Sequence, residues 1–537
     1  MVRSGYQRAQ PPPYSAPSTA SGLVSIVAVG ISSCNDDEVV SADAPVVSNP
    51  AVTSVQVSTD VTVSFPYTAA AGFASANATA SGGTASITTD GDAGAASGTI
   101  TVTFTAGTTV GAGAVVLTVT DSDGNTGTGT AVLNITAEPV APVVSVRGEI
   151  TGTVNWTADN VYVLETRVTV VDGATLNIEA GTVIKGAGGQ GAASTALLVA
   201  RGGTLNASGT AAAPIIFTSI SDDITPAMVA AGNFQSPNLA PTQAGLWGGV
   251  IILGSAPISV TNEDELAGIS NTESQIEGIP VTDSNGRYGG NDPADNSGTI
   301  TYISIRHGGT NIGAGNEING LTLGGVGSGT TINWVEVVAN DDDGIEWFGG
   351  TVNVNGALVW NSNDDALDTD QDWIGTCDNF IVVAPNGGSA FELDGPEGAT
   401  ASGNANSFTN GIVYAGSTID HLVDWDGSTN TGISNVYFYG WDAAYGFIQD
   451  EDPDEPGDQN FNPIESFGGD GVGTTANWEY TLTSGGADAA EIFNGVTAGV
   501  ATEVATQNAN TVGVADVAGF AWTWAAQSGG LSGVGIQ

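Results

Sequence analysis

Positive charge is what this chain has least of. Only 8 of its 537 residues are Lys or Arg, against 57 Asp and Glu, and the formal net charge is -49. No Lys or Arg follows Arg306. Partners that present phosphate, nucleic acid and anionic membrane surfaces alike, would be repelled by that field. Acidic polysaccharides are disfavoured in the same way unless a cation bridges, and Ca²⁺ is the natural counterion. Charge alone has a second reading, solubility in salty water. Cysteine is equally scarce: Cys34 and Cys377 give no disulfide framework, and Cys377 reads as a small buried hydrophobe. The two histidines, His307 and His421, fall in different repeats; His421 beside Asp420 and Asp424 is the one candidate base, against the commoner case of a surface histidine among acids. No nucleophile elbow, phosphate loop or HExxH zinc motif occurs.

What is present points to strands. Glycine is abundant (77), charged residues make up 12% and hydrophobic residues 41%. Ser, Thr, Asn, Ala and Val suit short strands and tight turns, whereas helices favour Leu, Glu, Lys and Arg. The apolar content is too high for a disordered chain. The length calls for two or three domains or one long repeat array. The expected class is all-β.

At the N-terminus, Arg3 and Arg8 precede the apolar run Gly22 to Ile31, which is too short to span a bilayer. The run ends in Ile31-Ser32-Ser33-Cys34, followed by Asn35-Asp36-Asp37-Glu38. This resembles the lipobox and acidic tag of surface-exported lipoproteins of the Bacteroidota, and the resemblance implies lipidation of Cys34 and outer-membrane anchoring. Pro11-Pro12-Pro13 and Ile31, where Leu is usual, depart from that pattern. The alternative is a retained segment whose Leu23 to Ile31 pairs as a strand with another chain. Residues 1–33 are thus an export-like segment and 34–42 an acidic tether.

From 43 to 137, alternating runs such as Val61, Val63, Phe65 and Ile100, Val102, Phe104 are separated by turn residues at sandwich spacing. The stretch looks like an immunoglobulin-like or cadherin-like module. Its Asp121-Ser122-Asp123-Gly124-Asn125 loop reads as an Asx turn, since the Glu of a Ca²⁺ loop is missing. Residues 138–146, with Pro139 and Pro142, form a linker. From 147 to 476 come Thr175-Leu176-Asn177, Thr204-Leu205-Asn206, and Gly209-Thr210 with Pro214-Ile215-Ile216-Phe217. These resemble successive rungs of right-handed parallel β-helices, a solenoid that hosts adhesins, lyases, glycosidases and inert stalks. Residues 477–537, with Phe520-Ala521-Trp522-Thr523-Trp524, read as a cap or assembly surface.

One repeat can be aligned by subtraction. Asp342-Asp343-Gly344-Ile345-Glu346 matches Asp364-Asp365-Ala366-Leu367-Asp368, then Ser389-Ala390-Phe391-Glu392, then His421-Leu422-Val423-Asp424. Strand alternation sends Ile345, Leu367, Phe391 and Val423 inward, with Trp347, Thr369, Leu393 and Trp425. Glu346, Asp368, Glu392 and Asp424 then form an outward column, and Asp370, Asp394 and Asp426 a second. Carboxylates stacked about 4.8 Å apart repel by roughly 1 kcal/mol per pair in water. Two readings remain open. One is Ca²⁺ held by these columns with Asp342, Asp343, Asp364 and Asp365 at the strand entrances; the other is a solvated acidic face with loose counterions.

The expected function is a non-enzymatic structural or adhesive protein, extracellular or at the outer-membrane surface. Trp347, Trp360, Trp373, Trp425 and Trp441 offer stacking platforms for a glycan or surface ligand, although alternation favours the core for Trp347 and Trp425. One alternative is a fibre or coat subunit that self-associates through solenoid ends or the N-terminal strand. The other is a β-helix glycoside hydrolase, because the columns supply carboxylate pairs; a lyase lacks a basic residue beside the ladder.

Overall fold

The computed structural model describes residues 43–137, 140–261, 270–312, 318–383, 387–398, 402–416, 419, 422–425, 429–440, 476–482 and 499–532. The chain divides into two compact units, 1–138 and 139–537. Among the described residues of the first, two four-stranded sheets face each other. Alternate side chains such as Phe65, Val102, Phe104, Leu117 and Val119 fill the space between them. Asp121 closes its loop as an Asx turn, its Oδ1 accepting the amides of Asp123 at 3.0 Å and Asn125 at 2.7 Å.

The second unit is a parallel β-helix with three faces. Its first strand, Val143–Ile150, pairs in parallel with Val161–Val170. The solenoid therefore begins inside the stretch expected to be linker, because Val143 to Val146 already lie in register with Val161 to Leu164. At the other end, Trp478–Thr481 and Ala501–Glu503 still add rungs, so part of the expected cap is solenoid.

The first and second faces are the two halves of long strands, such as Thr331–Val338, Val354–Trp360, Thr376–Val383, Asn406–Tyr414 and Thr431–Tyr439. Each bends at one residue with left-handed backbone: Trp334, Gly356, Asn379, Asn410 and Asn435, with φ between 56° and 78°. Asparagine tolerates this conformation better than most side chains. At the bends the amides stack, Asn435 donating to Asn410 Oδ1 and Asn477 to Asn435 Oδ1, both at 3.2 Å. The third face consists of shorter strands, among them Leu321–Gly324, Ile345–Phe348, Leu367–Asp370, Phe391–Leu393 and Asp424–Trp425.

The interior is apolar and aromatic. Trp347 stacks on Trp373 with centroids 4.7 Å apart, and Phe380, Phe391 and Phe408 close around them. Trp347, Trp360 and Trp373 are therefore not stacking platforms for a ligand. The first and last lie inside the cylinder, and Trp360 is covered by Trp524. Trp441 lies outside the described residues. The described part of the C-terminal segment runs back over the second face, where Phe520, Trp524 and Leu531 pack on Leu358, Ile381, Ile412 and Tyr437.

Candidate functional site

On the third face the outward column changes character along the solenoid. In register it reads Leu198, Ile251, Thr322, Glu346, Asp368, Glu392, Asp424. The four carboxylates occupy consecutive rungs, with Ile345, Leu367 and Phe391 turned into the core between them. The second outward column holds Phe348 and then Asp370; Asp394 follows the next strand, half-buried, its amide donating to Thr369 O at 2.7 Å. Asp426 lies outside the described residues, as do Cys34, His421 and Asp420.

The upstream half of the column is not the solvated face that was one of the two readings. Glu346 and Asp368 are each only 7% exposed. The cause is a long excursion between Leu253 and Gly298, whose Ile258, Val260, Ile276, Ile279 and Tyr288 pack on Leu198, Ile251, Leu253 and Phe348. The apolar upstream part of the column is thus the floor for a roof, and the roof ends over the first carboxylates. Backbone bonds from Gly350 to Pro257 O and from Ser259 to Gln371 O, both 2.9 Å, fasten its edge. The Tyr288 hydroxyl donates to Gln371 Oε1 at 2.8 Å. Thr261 Oγ1 to Glu397 O, 2.8 Å, ties in the excursion that follows Asp394. Downstream, Glu392 and Asp424 are half-buried, as is Asp370.

Two residues before each strand lies a further column: Asn319, Asp343, Asp365 and Ser389. Asp343 Oδ1 accepts the Asp365 amide at 3.0 Å, and Asp365 Oδ1 accepts the Ser389 amide. These aspartates pin one rung's turn to the next. Asn319 donates to Glu346 Oε2, and its own Oδ1 is buried with no donor. Oxygens of Asp343, Glu346 and Asp368 all lie within 4.8 Å of one another, and those of Asp342, Asp343 and Asp364 make a second trio.

Burial, and then the neighbouring carboxylates, push these acids up. Asp343 lies well above the usual range through burial, Asp342, Asp365 and Asp364. Glu346 does so through burial, Asp343 and Glu277, against a hydrogen bond with Asp368 that holds it down. Asp368 rises through burial, Glu346, Asp343 and Glu392, and Asp370 through burial, Glu397 and Asp394. Glu392 is pushed up to about 11 by burial, Asp365, Asp343 and Asp394. An ionised pair one rung apart costs about 3 kcal/mol at an effective dielectric of about 20, so protons or a cation must relieve the stack. The inner trio suits a hard divalent ion: it offers only oxygen, is buried and converges, and the Asn319 carbonyl stands beside it unpaired.

Asn319, Tyr288, Glu277 and Glu397 were not among the expected site residues. Asn319 carried a signal, since it sits 24 positions before Asp343 at the same repeat position. The alignment simply started one rung late. Tyr288 and Glu277 arrive on an excursion outside the repeat, and no period could have placed them.

A family model described as a pectate-lyase like beta helix domain matches residues 148–524. Among solved structures, the family 28 exopolygalacturonase of Yersinia enterocolitica aligns with 72% of this chain and 79% of its own, at 12% identity and a TM-score of 0.15. That superposition is too loose to carry site or substrate. No curated protein matches. The family match overturns the expected non-enzymatic structural, adhesive or fibre-forming role and favours the remaining alternative, polysaccharide cleavage.

Proposed function

The chain belongs to the pectate-lyase-like β-helix family, and from that premise we propose that it hydrolyses a polysaccharide at the carboxylate columns of the third face. The observation that supports this is the run of acids on consecutive rungs, buried at one end and half-open at the other. Glycoside hydrolysis needs one protonated carboxyl to donate to the leaving oxygen and one ionised carboxylate to activate water or attack the sugar. Glu392 meets the first need, since burial and its acidic neighbours keep its proton at neutral pH. Asp394 and Asp424, half-buried on either side of it, are the carboxylates for the second.

Asp343, Glu346 and Asp368, with Asn319, are the residues that would hold Ca²⁺; the ion would supply fixed positive charge beside the acids. A polymeric substrate outside the cell requires export. The Ile31-Ser32-Ser33-Cys34 segment is the proposed route, with a lipid on Cys34 as outer-membrane anchor in the manner of Bacteroidota surface lipoproteins.

The test is release of reducing ends from a polysaccharide panel by the full chain and by Glu392→Gln. We expect the variant to lose about 10²–10⁴-fold in kcat with its melting temperature kept. Products with unsaturated ends, read by ultraviolet absorbance, would mean elimination instead. Turnover unchanged in Glu392→Gln would remove this assignment, and silence across the panel would remove hydrolysis itself.

A further inference from the structure

We infer that this site acts on polymer ends and releases mono- or disaccharides; the inference deepens the hydrolase reading above and rests on it. A polymer is cut internally only where it can leave a site on both sides of the scissile bond. Around Glu392, the described residues close the third face on two sides.

The first closed side is upstream. Along the outward column Ile251, Thr322, Glu346 and Asp368 are all buried, and exposure rises only at Glu392 and Asp424. The excursion that roofs these rungs packs down with Ile258, Val260, Ile276, Ile279 and Tyr288. Glu346 and Asp368, each 7% exposed, are left with no surface for a sugar ring. One rung, about 4.8 Å, separates Asp368 from Glu392, which is room for about one ring beyond the acid.

The second closed side is where the strands end. Residues Pro257 to Thr261 pass the ends of three successive rungs. Gly350, after Ile345–Phe348, donates to Pro257 O at 2.9 Å. Ser259 donates to the carbonyl of Gln371, after Leu367–Asp370, at 2.9 Å. Gly398, after Phe391–Leu393, donates to Ser259 Oγ at 3.2 Å. That last junction is tight: a Cβ on Gly398 would fall 2.4 Å from Val260 O, and Thr261 Oγ1 donates to Glu397 O at 2.8 Å. Ile258, Ser259 and Val260 are themselves buried, so the segment is a packed wall. A chain lying along the column therefore meets the roof one rung past Glu392. A chain lying along the strand meets Val260 and Gly398 instead. Along either line, one side of the scissile bond has room for a chain end and none for a polymer, which is a clash built against internal stretches.

The experiment follows product size on whichever polysaccharide of the panel the full chain cleaves. We expect mono- or disaccharide as the sole small product from the first time points, while viscosity stays near its starting value. A ladder of intermediate sizes with an early fall in viscosity overturns the inference and leaves hydrolysis standing. Binding isotherms on Glu392→Gln decide the case without turnover. They compare oligosaccharides cut from the panel polymers with the same oligosaccharides carrying a bulky group on the reducing or the non-reducing end. One of the two blocks should weaken binding at least about tenfold, and the other should not. That result, with no cleavage by the unmodified protein, supports the blind cleft and sinks hydrolysis alone. Equal binding of both blocked forms, or binding of none, overturns the inference.

Discussion

On the second face of the solenoid the outward column reads Glu336, Leu358, Ile381, Ile412, Tyr437, Glu479. On the third, over overlapping rungs, it reads Glu346, Asp368, Glu392, Asp424. Both stand on the same parallel backbone around the same core, yet they attract different neighbours. The apolar column is covered by the protein's own C-terminal segment. The glutamates at its two ends act as anchors: Glu479 Oε1 accepts the Thr511 hydroxyl at 2.6 Å, and Glu336 Oε1 accepts the Ala525 amide at 3.0 Å. Burial alone would raise Glu479, but the donors at Thr511 and Val512 outweigh it and hold it below the usual range. Among the described residues the acidic column has no such strap. Its roof rests on Leu198, Ile251 and Phe348 and ends over the first two carboxylates, Glu346 and Asp368. In a β-helix, the outward residue on each rung decides whether that rung is covered by chain or left for a ligand.

That comparison can be broken most forcefully on the apolar side. Trp524 lies against Trp360, His307 and Arg306. Trp524→Ala should cost about 3–5 kcal/mol in urea unfolding and expose residues 505–532 to protease; a loss under about 1 kcal/mol would mean the strap contributes little. On the acidic side a substitution should have the opposite sign. Asp368→Asn removes one buried like charge at similar shape, so in EDTA at pH 8 it should stabilise by about 1–3 kcal/mol, with no gain at pH 4. Destabilisation at pH 8 would argue that the column is already neutralised.

The pH dependence sharpens the same point. Asp343, Glu346, Asp368, Asp370 and Glu392 are all raised in the folded state. Their stabilising contribution is full below about pH 4, where the unfolded carboxyls hold their protons, and is lost as pH rises toward the folded values. Without divalent ions the melting temperature should therefore fall steadily from pH 5 to pH 9. Millimolar Ca²⁺, but not Mg²⁺, should restore most of the loss, and Asp368→Asn should blunt that response. A flat profile would remove the case for a cation. The smallest effect belongs to the bends: Asn435→Ala breaks one link of the amide stack and should cost about 1 kcal/mol, with no change in turnover.

The β-helix and the register of the ladder were both legible in the sequence. Ile345, Leu367 and Phe391 recur at 22 and 24 residues with an acid after the first two and the third, and the observed pairing is the same. Burial was not legible. Glu346 and Asp368 read as outward, with a cation site and a solvated face both open, because alternation reports direction, whereas the roof that covers them comes from 254–297, outside the repeat. The tryptophans misled for a related reason: Trp360 does point outward, and only the returning C-terminal segment buries it. The proposed hydrolase role stood in the sequence only as an alternative, since a column of carboxylates has the same sequence pattern whether it carries counterions or does chemistry.

By itself, then, the sequence determined the all-β class, the three-faced repeat, the stacking of four acids and the impossibility of a neutralising Lys or Arg downstream of Arg306. These are properties of period and composition, and both are local. Tertiary structure alone decided that two of those acids lose their water, that Asn319 and Tyr288 join them, and that Phe520, Trp524 and Leu531 lie along the second face. Those outcomes depend on which non-repeating segments find apolar rungs to rest on, and free energy from apolar burial follows the surface covered, not the order of residues along the chain.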